Sequence, residues 1–114
     1  MHFLKEMYIG DGIKNQKTVQ WKLKHGAGMK DIYVISVSHG NNQLDCMNCA
    51  YFKQKIIREY TGLVVGLANG YGEAQKLMIN MIEDAYKDTG TANVKEYLLD
   101  KYKRSGKAKT MPKQ

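Results

Sequence analysis

A stretch of 27 residues, Leu63 to Thr89, constrains this chain more than any other. Leu63-Val-Val-Gly-Leu-Ala68 reads as a buried strand, Asn69-Gly-Tyr-Gly72 as a tight loop, and Glu73 onward as a helix. Ala74, Leu77, Met78, Met81, Ile82 and Ala85 recur at steps of three and four, which gathers them on one helical face. Lys76, Asn80, Glu83, Asp84 and Lys87 fall elsewhere around the helix and give it a wet side. An amphipathic helix must lay its apolar face on another element, and the strand just before it is the nearest surface. The spacing therefore predicts a helix over 72–89, closed by Gly90, packed on a sheet that contains 63–68.

The rest of the chain supplies further strands and helices. Ile32 to Ser38 is rich in β-branched residues and apolar on both faces, which predicts a central strand. His39-Gly-Asn-Asn42 reads as a turn, and Gln43 to Asn48 as a more polar returning strand. Ala50 to Tyr60 is expected to be a helix with Phe52, Ile56 and Tyr60 inward. Thr61-Gly62 ends it. Between Ile13 and Lys24 the pattern supports two readings. Val19, Trp21 and Leu23 alternate with polar residues as in a strand, yet the segment is rich in helix formers and ends at His25-Gly26; helix is the favoured one, with Asp11 as a cap. Asn93 and Glu96 have the spacing of a capping box for a last helix over 93–103. Residues 1–10 carry no clear period. The expectation is an α+β domain over residues 1–104, with a three-stranded, mainly antiparallel sheet in order 2-1-3 packed against helices.

The 114 residues suffice for one core without metals or disulfides as staples. A net charge of +7 would suggest a polyanion partner if it were spread over one face. Instead residues 1–30 hold six Lys against Glu6 and Asp11, and 31–100 hold nine acids against six bases. Residues 101–114 hold six bases and no acid, and 105–114 read as a disordered basic tail. Sequence-independent binding of nucleic acid through these basic ends stays open. Met1 to Gly10 has no apolar core of signal-peptide length, and no apolar run is long enough for a membrane helix. Two cysteines in such a chain point to a reducing, cytoplasmic setting.

Chemistry-bearing motifs are few. The loop Gly70, Tyr71 and Gly72 sits between strand and helix, where backbone amides attract anions. It has no Gly-Lys-Ser/Thr, and Gln75 stands where a dinucleotide loop has its third Gly, so a tight turn is the simpler reading. Cys46 and Cys49 form a Cys-x-x-Cys pair. It supports three readings: a redox pair, a metal site with His39 or His25, or two small structural thiols. Ser38, His39 and Asp45 are close in sequence without a hydrolase motif around them. Tyr33, Tyr86 and Tyr97 fit core-edge positions better than base-stacking ones.

Asp31-Ile-Tyr-Val-Ile-Ser36, Gln43-Leu-Asp45, Val64-Val-Gly-Leu-Ala68, Gly70-Tyr71, Glu73-Ala74, Thr89-Gly90 and Val94-Lys-Glu-Tyr-Leu98 together resemble a family of small uncharacterised bacterial proteins. The resemblance spans about residues 8 to 100. It implies a compact single-domain bacterial protein with no assigned activity and no functional residues to carry over; separately, no cofactor is expected. With no catalytic set, the expected function is non-enzymatic, exercised through self-association or contacts with another protein at the open edges of the sheet.

Overall fold

The computed structural model describes residues 1–105. In chain order these form strand β1 (Phe3–Ile9), helix α1 (Gln16–His25) and strands β2 (Ile32–Val37) and β3 (Leu44–Asn48). A 3-10 turn (Cys49–Lys53), helix α2 (Lys55–Tyr60), strand β4 (Val64–Asn69) and helices α3 (Tyr71–Thr89) and α4 (Val94–Arg104) follow. The class is α+β, with one mixed sheet of four strands in order β1-β4-β2-β3.

The expected three-stranded sheet lacks one member. β2 does lie between β3 and β4, antiparallel to both. On the far side of β4, however, β1 is added in parallel, through pairs such as Phe3 with Val64 and Ile9 with Leu67. The pairing register shifts between Phe3 and Tyr8. Phe3, Leu4 and Met7 are buried while Lys5 and Glu6 face out, so the strand loses its two-residue alternation at the irregularity. That is why residues 1–10 look unpatterned.

Every residue of β4 from Val64 to Ala68 is buried. Successive side chains of a strand point to opposite faces, so both faces of the sheet are covered here. Gly66 faces α3: a Cβ on it would lie 2.8 Å from Met81 Cε and 3.2 Å from Ile35 Cδ1. Ala74, Leu77, Met81 and Ala85 of α3 are buried as their spacing predicts. Val94 and Leu98 bury α4 in the same core.

Residues 13–24 resolve as helix, but its first turn starts at Gln16 and its cap is Asn15 rather than Asp11. Asn15 Oδ1 accepts from the Thr18 amide at 3.1 Å, and Gly26 closes the helix at φ 69°. Val19 and Leu23 are buried; Trp21 is outside, stacked on His25 at 4.2 Å between centroids.

The expected continuous helix over 50–60 is two pieces. Gln54 is extended (φ −86°, ψ 124°), and this break changes the helical phase. Phe52 is buried, but Ile56 and Tyr60 are exposed, and Ile57 takes the half-buried place. Arg58 Nη1 closes the 3-10 turn by donating to the Phe52 and Lys53 carbonyls, at 2.7 and 3.0 Å. The cap of α4 is as expected at its core: the Glu96 amide donates to Asn93 Oδ1 at 3.2 Å. Apart from Ser105, the tail assigned to 105–114 lies outside the described residues. No described helix is long and apolar enough to cross a membrane.

Candidate functional site

The loop between β4 and α3 is held by an internal carboxylate. Glu73 Oε1 accepts from the Asn69 amide at 2.7 Å and Oε2 from the Gly12 amide at 2.9 Å. Asn69 Nδ2 donates to the Gly12 carbonyl at 3.2 Å, and the Gly70 amide to the Asp31 carbonyl at 2.7 Å. Gly70 has φ 93° and ψ 153°, a conformation confined to glycine. Thus, of the loop positions Gly70, Tyr71 and Gly72, the first has its amide bonded to Asp31. The neighbouring Asn69 and Gly12 amides already face a carboxylate, where a bound anion would otherwise sit. A cleft of about 540 Å³ opens beside Glu73 at the ends of the parallel strands β1 and β4. Asp11, Lys76 and Asn80 also line it, which gives it mixed charge.

The cysteines occupy different settings. Cys46 is half-buried on β3, opposite Ile35, and burial pushes its thiol pKa up. Cys49 is buried at the start of the 3-10 turn, where its thiol donates to the Met29 carbonyl at 3.4 Å. Both are free thiols. His39 lines a small hollow with Ser36, Asp45, Met47, Ile57 and Tyr60. Among the described residues no three His, Cys, Asp or Glu side chains come together as metal ligands. His25 is engaged elsewhere, its Nδ1 2.8 Å from the Trp21 carbonyl oxygen. Ser38 is buried, and its Oγ accepts from the Gly40 amide at 3.1 Å.

Two Tyr–Asp pairs tie α3 to its neighbours. The Tyr8 hydroxyl donates to Asp84 Oδ2 at 2.6 Å, and the Tyr97 hydroxyl to Asp88 Oδ2 at 2.5 Å. Burial first, and then the carboxylate partner, pushes the Tyr97 pKa up to about 12; the same causes raise Tyr8. These bonds fix which way α3 is turned. Asp84 and Asp88 point towards β1 and α4, which leaves the opposite flank of the helix uncovered.

On that flank lies the feature that distinguishes the molecule. Ile79, Ile82 and Tyr86 are 55, 41 and 64 % exposed. Ile82 was expected in the core and Tyr86 at its edge. The reason for the difference is angular: at 3.6 residues per turn they point roughly a third of a turn away from Ala74, Leu77, Met81 and Ala85. With Gly72, Gln75 and Thr89 they occur at alternating steps of three and four, the spacing of a coiled-coil seam. Met78, half-buried, joins this stripe to the core, and Tyr71 at its start packs its ring 5.6 Å from that of Tyr33 on β2.

The sheet face that carries α3 also carries the open edge of the sheet. Ile35 points at α3, so strand alternation puts its partner Cys46, with Leu44 and Asn48, on the same face. All five β3 residues are only half-buried, and β3 has a strand partner on one side alone. The signal for this surface was present in the sequence. The apolar arc of α3, from Leu77 round to Ile79, is wider than one sheet can cover.

Comparison with protein-family models, curated proteins and solved structures finds no match for this chain.

Proposed function

We propose that this chain is a small non-enzymatic protein that works by self-association through the open flank of α3. The observation that carries this reading is the run of three large apolar side chains, Ile79, Ile82 and Tyr86, in water at seam spacing on the longest helix. Single exposed apolar residues are ordinary, but a row of three on one flank of a helix is the composition of a contact surface. Each of these side chains is already about half covered, so burying the remainder contributes about 1 kcal/mol per residue before association costs are subtracted.

Light scattering on the parent chain and an Ile79→Asp/Ile82→Asp variant tests the reading. Both positions are exposed, so the variant keeps its fold, which circular dichroism checks. The expected result is a parent whose mass rises with concentration and a variant that stays monomeric. A parent that is monomeric at every workable concentration, or a variant that assembles as the parent does, refutes it.

A further inference from the structure

We propose that the occupant of this flank is a second copy of the same chain, related by a twofold axis that runs the two α3 helices antiparallel. This rests on the self-association reading and adds the partner's orientation. The apolar row alone would accept many partners, and the charges beside it select one. Lys76 and Glu83 are both exposed and are seven residues apart, so they stand on the same side of the row, above it as seen from the sheet. The ion pair formed among the described residues, Lys55 with Glu59, lies on α2 and uses neither of them.

In an antiparallel pair centred between Ile79 and Ile82, Ile79 of one copy meets Ile82 of the other, twice. Gln75 then lies against Tyr86, and Gly72 against Thr89. The same operation brings Lys76 of each copy beside Glu83 of its partner, so two opposite-charge contacts close over the apolar seam. A parallel pair would instead set each charged flank against the flank that carries Met78 and Ala85, where the charges have no partner. The lower flank, with Met78 and buried Ala85, is the one turned towards the sheet. The charged flank therefore lies uppermost in both copies, as the antiparallel pairing requires.

Charge reversal separates this arrangement from the others. Sedimentation equilibrium is run on the full chain, on Lys76→Glu, on Glu83→Lys and on the double reversal Lys76→Glu/Glu83→Lys, with thermal melts to check folding. Each single reversal turns two attractions into two repulsions, so the dimer dissociation constant rises about tenfold at low salt. The double reversal restores the opposite-charge contacts and returns it to near the parent value. Singles without effect, or a double weaker than either single, overturn the antiparallel seam while leaving self-association standing. Absence of any dimer in the parent overturns both.

Discussion

Replacing Gly66 by alanine measures how tightly α3 presses on the central strand. The added Cβ would lie 2.8 Å from Met81 Cε, 3.2 Å from Ile35 Cδ1 and 3.2 Å from the Tyr8 carbonyl oxygen. Met81 and Ile35 are fully buried, so neither has free space to swing into, and the Tyr8 oxygen is backbone of the neighbouring strand. The new methyl gains about 0.8 kcal/mol from burial. Three close approaches, two of them to fully buried side chains, place the overpacking cost in the upper half of the about 1–3 kcal/mol typical of a filled core, so the net expectation is a loss of about 1–2 kcal/mol. For a domain of this size that lowers Tm by roughly 4–9 °C. Gly72→Ala is the control: it lies in the first turn of α3 and a Cβ there meets nothing within 4 Å. It should leave stability unchanged or raise it by up to about 1 kcal/mol. Thermal unfolding followed by circular dichroism compares the two at a concentration where the chain is monomeric, because Gly72 lies on the proposed seam and association shifts Tm. Gly66→Ala melting at the parent temperature would mean that α3 does not seat on β4 as described.

Alkaline pH is expected to destabilise the fold through the Tyr–Asp pairs. Folded Tyr97 keeps its proton up to about 12, above its ordinary 10.0, so the folded state binds more protons than the unfolded one as pH rises past 10. Stability is thus full below about pH 10 and falls towards 12; Tyr97→Phe should flatten that fall in urea unfolding, and an unchanged slope contradicts it. Thiol titration of the native chain should read Cys46 slowly and Cys49 only after denaturant is added, since Cys49 is 3 % exposed. Equal, rapid reaction of both would place Cys49 outside the core. Asn93→Ala should cost about 1 kcal/mol by removing the α4 cap, against no change if the bond to the Glu96 amide carries nothing.

What could be read from the residues, and what could not, follows from which signals are local. The α3 core set and its Gly90 stop were legible because period and cap agree within one segment. The central place of β2 was legible from its two-faced apolar run, and its antiparallel neighbours from the turn at 39–42 and the crossover rule. β1 was not, because a register irregularity breaks its alternation and its partner β4 is about 60 residues away. Ile56 and Tyr60 are exposed where their four-residue spacing predicts them inward, because a one-residue break at Gln54 rephases the turn after it. For the loop at Gly70, the sequence shows the glycines but not that Glu73, four residues from Asn69, folds back onto its amide. Ile82 and Tyr86 are exposed, against the expectation of core and core edge, for a different reason. Both lie within the broad apolar arc of α3, and the width of the sheet beneath decides that the arc is covered as far as Met78 and not as far as Ile82.

The most direct test of the central claim is the mass of the full 114-residue chain in solution across a wide concentration range. Sedimentation equilibrium should show a reversible rise from the 13.0 kDa monomer towards twice that mass. The rise should vanish when Ile79 and Ile82 are both made Asp. A 13.0 kDa species at every concentration would contradict the account and leave the row on α3 as ordinary exposed surface.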